Sequence, residues 1–145
     1  MRSYQIYLIE DEFARHYFGR EKIFFNLFLE YIQSTDWHKD ILQKQIEYIT
    51  KKIPTSNVHF SLEQSLQRKQ GYLTQNGVYY LKTKSNSKAV VYIHEHSIIL
   101  KAEGDFDAET TFFECIRKCE ASFLAIDFEN KRYGWLKPIK ERKYG

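Results

Sequence analysis

The apolar residues of this chain change period part-way along it, and that change constrains the fold more than any other feature. Ser3 to Ile9 alternates, with Tyr4, Ile6 and Leu8 on one side, as a strand does. From Asp11 to about Arg68 the apolar residues recur at helical spacing. From Val78 onwards they come in short β-branched or aromatic runs: Val78 to Lys82, Val90 to Ile93 and Ile98 to Ala102. The polar stretch Lys84–Lys88 separates the first two runs and Glu95-His96-Ser97 the last two, which predicts an antiparallel meander. Asp107 can cap a helix running through about Glu120, and Phe123 to Phe128 with Arg132 to Leu136 predict a closing hairpin around Asn130-Lys131. The order β-ααα-βββ-α-ββ predicts one α+β domain, an antiparallel sheet packed against several helices.

Punctuation divides the helical part. Asp11 can cap the first helical region, which runs to about Gln33 with a kink or a break at Gly19. Ser34-Thr35-Asp36 predicts the start of a second helix reaching about Lys52, ahead of Pro54. Ser56 or Ser61 can cap a third helix through about Arg68.

The first region carries too many apolar residues for one core face. At about 100° per residue along an unbroken helix, Phe13, Tyr17, Phe24, Phe28 and Tyr31 fall within about 60° of one another. Phe18, Phe25 and Ile32 lie further round, and Ile23 and Leu27 occupy the opposite flank, giving an apolar arc of about 240° against a usual stripe of a little over 100°. Either Gly19 breaks the helix and all the rings are core, or some are left for a partner. For Phe13 and Tyr17, one turn apart before the glycine, partial exposure is expected: such a pair makes a rigid anchor. The second helix shows a related oddity. Trp37, Ile41, Leu42, Ile46, Tyr48 and Ile49 form an apolar stripe about 180° wide with Gln45 in its middle. A buried Gln without partners costs roughly 1–3 kcal/mol, so its amide is satisfied inside the fold or at the core's edge by a partner.

The 145 residues fit a single domain able to bury roughly 70% of its unfolded surface, so no disulfide staples are needed. Cys115 and Cys119, four apart, share a helix face and are read as small core residues. The first residues, MRSYQIYLIEDEF, hold too short an apolar run for a signal peptide, and no segment approaches the ~20 apolar residues of a membrane span. A soluble, reducing, cytoplasmic setting is expected. The net charge of +3 is low for a dedicated nucleic-acid binder. Tyr and Phe, at 11 each, are abundant enough to serve both a core and a contact surface.

No catalytic constellation stands out: there is no nucleophile elbow and no glycine-rich phosphate loop. His94 and His96 lack a third metal ligand, so no metal is assigned. Asp105, Asp107 and Glu109 precede a helix, where acids serve as cap and dipole partners. The segment NKRYGWLKPIKERKYG holds six Lys/Arg against one acid, interleaved with Tyr133, Trp135 and Tyr144. It is read as a final strand whose Tyr133 and Trp135 face one side, followed by a solvated charged end; a module binding single-stranded nucleic acid is the alternative. A small-molecule enzyme, which would need a deep polar pocket, is the other.

Five stretches, YLIEDEFARHYFGRE, KQIEYIT, GDFDAETTFFECIRK, FLAIDF and KRYGWLKPIKER, together resemble SirA, the sporulation inhibitor of replication of endospore-forming bacteria. The resemblance runs from the first strand to the last basic segment and carries no functional residue over in 53–102. It implies a protein that is not an enzyme and binds domain I of the initiator DnaA; no cofactor and no small-molecule substrate are expected, and direct nucleic-acid contact is not expected to be its mode of action. It also implies a contact face built from Phe13, Tyr17, Gln45 and Tyr48, with Pro138 at its margin. The two oddities of the helices thus coincide with the residues the resemblance marks, and a packed helix pair presenting all four is expected.

Overall fold

The computed structural model describes residues 1–139. Its centre is β1 (Arg2–Ile9), which pairs antiparallel with β6 (Ile98–Glu103) on one side and β7 (Phe123–Asp127) on the other. The sheet continues outward from β6 through β5 (Lys88–Ile93) and β4 (Val78–Lys82) to β3 (Tyr72–Gln75), and from β7 to β8 (Arg132–Trp135). A two-residue strand, β2 (Thr50–Lys51), adds to the end of β1 through the registers Leu8↔Lys51 and Ile9↔Thr50. The expected α+β architecture is what forms: an antiparallel sheet with helices on it.

Alternation along β1 sorts the core into two layers. Tyr4, Ile6 and Leu8 face α4 (Thr55–Leu66) and α5 (Asp107–Ile116), in a layer that takes in Val58, Leu62, Phe112 and Ile116. Tyr7 and Ile9 face the other way, toward α1 (Asp11–His16), α2 (Lys22–Gln33) and α3 (Asp36–Ile49). There Phe24, Phe25 and Phe28 are buried against Leu124 and Ile126, and Tyr7 stacks on Phe28 with ring centroids 4.0 Å apart.

Several boundaries differ from expectation, each for a local reason. The second helix ends at Ile49 rather than near Lys52, because Thr50 and Lys51 find a better backbone partner in β1. β3 was not expected; Asn76 and Gly77, with φ of 53° and 75°, close a tight turn that pairs Tyr72–Gln75 with β4. Asp11 does not cap α1. It is the first helical residue, and its carboxylate accepts from the Ser122 hydroxyl at 2.6 Å, with Lys51 Nζ 3.7 Å away. Neither Ser56 nor Ser61 caps α4, which starts at Thr55; Ser61 donates to the Cys115 carbonyl at 3.1 Å.

Nor is Asp107 the cap of α5. Asp105 accepts from the Asp107 amide at 3.0 Å, and Ser87 reaches across from the β4–β5 loop to accept from the Ala108 amide at 3.0 Å. That approach needs Gly104, at φ +85°, where a Cβ would meet the Asn86 carbonyl oxygen at 2.3 Å. Glu109 is more than a dipole partner. It is 2% exposed, and its carboxylate holds the Arg2 guanidinium and the Tyr4 hydroxyl. The helix itself ends at Ile116, four residues before the expected Glu120. Cys115 is buried, and Cys119, half-buried, lies beyond the helix.

A candidate protein-docking groove

Gly19 decides where the rings go. The chain leaves α1 through a turn in which Gly19 sits at φ +80°, and α2 starts in a new direction at Lys22. The break sends Phe24, Phe25 and Phe28 into the core and leaves Phe13 and Tyr17 half-buried, as expected for the pair. Tyr17 is nonetheless held. Its ring meets Phe24 edge to face at 5.6 Å, and the Arg20 guanidinium lies 5.1 Å above it.

The turn is fastened from a distance. One Glu21 carboxylate oxygen accepts from the Gly19 amide and from the Trp135 indole N–H, both at 3.1 Å, while Trp135 also packs edge-on against Phe24 at 6.0 Å. Burial pushes the Glu21 carboxyl up, but the Trp135 and backbone donors outweigh it and hold the group below its ordinary range. The segments HYFGRE and KRYGWL, 114 residues apart at these two side chains, therefore meet at one hydrogen bond. Sequence reading missed this contact, because nothing local to either segment marks it.

On α3 the stripe about 180° wide resolves into two. With Trp37 as origin and about 100° per residue, Leu42, Ile49 and Ile46 fall near 120–180°, while Tyr48 and Ile41 fall near 20–40°. The first set packs inward, Leu42 buried and the other two half-buried. The second set points out: Trp37 is 71% exposed and Tyr48 74%. Gln45 lies between the two stripes, exposed, and makes no hydrogen bond to another described residue. It is at the edge of the core rather than within it.

These elements enclose a groove of about 540 Å³. Phe13 and Tyr17 form one wall; Lys44, Gln45 and Tyr48 form the other; Phe24, Leu27 and Ile49 lie between them. Phe13 and Tyr48 lean together with ring centroids 5.4 Å apart. The expected four residues thus line one concavity. Lys44, which sequence reading passed over, joins them; its position one turn before Tyr48 is the clue that was available. Among the described residues, no Asp or Glu lines the groove. Pro138 is exposed beyond β8 and does not line it, although the next residue, Ile139, packs on the layer under α2.

The other candidate features are occupied or isolated. Tyr133 stacks on Phe25 at 5.3 Å, and Arg132 is paired with the buried Asp127 at 3.1 Å, so the described part of the basic segment spends its aromatics and one cation within the fold. Lys140, Arg142, Lys143 and Tyr144 lie outside the described residues. His94 and His96 are exposed at the β5–β6 turn, and among the described residues no three His, Cys, Asp or Glu side chains come together as metal ligands. No described helix is long and apolar enough to cross a membrane.

The comparisons with known proteins agree with one another. The family model for the sporulation inhibitor of replication protein SirA matches residues 2–140. The Bacillus subtilis (strain 168) protein described as sporulation inhibitor of replication protein SirA is 44% identical over 147 residues, covering 99% of this chain and 98% of the relative. That family is regulatory and is not a known enzyme family. With the match extending from the first strand to beyond β8, this chain belongs to the SirA family of sporulation inhibitors of replication.

Proposed function

We propose that this protein holds back the initiation of DNA replication during sporulation by seating domain I of the initiator DnaA on the groove between α1–α2 and α3. The observation that carries the reading is that Phe13, Tyr17, Gln45 and Tyr48, drawn from two separate elements, line a single concavity. Rings already packed at one edge lose little freedom when a partner covers the other, and buried aromatic anchors dominate interface energies. The Gln45 amide would be left unsatisfied under an apolar partner, at a cost of roughly 1–3 kcal/mol, so the matching surface presents a polar group there. Domain I is an interaction module, so covering its surface competes with the partners that load or activate the replication machinery. The mechanism is occlusion, with no chemistry and no cofactor.

Calorimetric titration of the full chain with isolated domain I tests the partner and the site together. A 1:1 complex is expected. Tyr17→Ala and Phe13→Ala each weaken it by at least about tenfold, equivalent to about 1.4 kcal/mol. Because both rings also touch the core, Tyr48→Ala is the cleaner variant: its side chain is largely exposed, so affinity falls while the thermal midpoint holds. Pro138→Ala, outside the groove, is expected to change affinity less than threefold. Absence of heat and of co-elution with domain I overturns the reading.

A further inference from the structure

The outer stripe of α3 runs well past the groove. Trp37, Ile41, Lys44 and Tyr48 are separated by four, three and four residues, which is the spacing of a heptad seam. They lie within about 60° of one another on the helix and extend about 16 Å along it. The two aromatic ends are the exposed Trp37 and Tyr48, and Ile41 between them is 47% exposed. The start of the seam is also tied to its neighbour. His38 Nε2 lies 2.9 Å from a Glu30 carboxylate oxygen and Lys39 Nζ lies 4.9 Å over the Tyr31 ring, so the first turn of α3 is tied to α2.

Its charges are arranged to match. Lys44, the polar member of the seam, has no carboxylate within 4.0 Å among the described residues. Asp40 and Glu47 lie on the flank away from the groove, about 60–80° from Trp37. A seam of apolar knobs interrupted by one cation and bordered by acids is what one helix of a two-helix packing presents to the other.

We infer that a second α-helix, carried by the protein that fills the groove, packs along α3 on Trp37, Ile41 and Tyr48. It presents an acidic residue to Lys44 and Lys or Arg to the Asp40–Glu47 flank. This rests on the groove reading and makes Trp37 a second anchor, distant from the Phe13–Tyr17 pair. The seam is continuous with the groove at Tyr48 and Lys44, so one partner covers both without a gap.

The full chain is titrated with isolated DnaA domain I, as wild type and as Trp37→Ala, Ile41→Ala, Lys44→Glu and Tyr17→Ala, each at two salt concentrations, and is sedimented alone. Trp37→Ala is expected to weaken binding at least about tenfold and Ile41→Ala about threefold. Lys44→Glu should weaken binding about fivefold or more and flatten its salt dependence. All three are exposed, so their thermal midpoints should match wild type. If Tyr17→Ala loses affinity while Trp37→Ala and Ile41→Ala, the two seam residues outside the groove, bind as wild type, the seam is not part of the footprint and this inference fails while the groove reading stands. If Tyr17→Ala is also silent, the groove reading fails with it. If the chain dimerises alone and Trp37→Ala makes it monomeric, the occupant is a second copy and the partner helix is overturned.

Discussion

The two faces of the sheet use similar helices for different ends. Where α4 and α5 cross it, Val58, Leu62, Leu66, Ala108, Phe112 and Ile116 are all fully buried; the exposed rings are Phe60 on α4 and Phe106 at the start of α5, on separate helices rather than in one stripe. Where α1, α2 and α3 cross it, only α2 commits its rings to the core. α1 leaves Phe13 and Tyr17 half-covered, and α3 turns Trp37, Ile41 and Tyr48 outward. One apolar stripe per helix is enough to bind a helix to a sheet; the rings of the second stripe on α3 meet other rings, among the described residues, only where Tyr48 meets Phe13 and Trp37 meets His38. Surplus apolar surface on a well-anchored helix is therefore the mark of contact, and the α4–α5 face, which has little, is the mark of scaffold.

The largest effect expected from this contrast lies on the scaffold face. Glu109 is buried between α5 and β1, held by Arg2 at 2.6 Å and by the Tyr4 hydroxyl, and Arg2 also donates to the Asp105 carbonyl at 2.9 Å. Arg2→Ala strands a buried carboxylate, and such a loss costs about 3–5 kcal/mol. Urea denaturation should show that drop while the folded fraction binds domain I with wild-type affinity. An affinity that falls along with stability would show that the two faces are not separate, and the division drawn here would fail.

A smaller change probes the one place where the faces join. Trp135 belongs to the sheet, but its indole N–H fastens the turn that presents Tyr17. Trp135→Phe keeps a ring against Phe24 and removes the donor. A hydrogen bond to a charged group at a half-buried site is worth about 1–2 kcal/mol. Here stability and affinity should fall together, the latter about threefold. Lost stability with unchanged affinity would mean that Gly19 and Arg20 set the turn without help from β8.

Much of this was legible in the residues, because period and punctuation are local properties. The β4–β5–β6 meander, the β7–β8 hairpin at Asn130-Lys131 and the break at Gly19 each follow from a few adjacent side chains. Asn76-Gly77 was equally local and would have given β3 had it been weighed as a hairpin turn. What could not be read depends on distant partners. The helix stop at Ile49 is set by β1, the cap of α5 by Ser87 from another loop, and the burial of Glu109 by Arg2 at the opposite end of the chain. The groove was half legible. The Phe13–Tyr17 pair and the misplaced Gln45 stood out, but α3 looked like one wide stripe because helical angle alone does not say where the core ends and solvent begins.

The finest test of the joint between the faces is acid titration. The Glu21 carboxyl is held below its ordinary value of 4.5, burial being outweighed by the Trp135 and backbone donors. The folded state therefore binds this proton less tightly than the unfolded chain does. Its contribution is present above about pH 4.5 and is lost as pH falls through the lower folded value. Asp127, which joins β7 to β8, behaves alike: burial raises it, but Asn130 and Arg132 more than offset this and leave it below its ordinary 3.8. Wild type should thus lose stability progressively below about pH 4.5, with Asp127 acting at the lower end of that range. Glu21→Gln keeps an acceptor for Trp135 but removes the charge. Its thermal midpoint should lie slightly below wild type at pH 7, and the gap should narrow as pH falls through the lowered Glu21 value and the wild-type side chain loses its charge. Curves that run parallel from pH 7 to pH 3 would mean that the charge on Glu21 contributes nothing to the fastening, and that a neutral acceptor for Trp135 holds the turn as well.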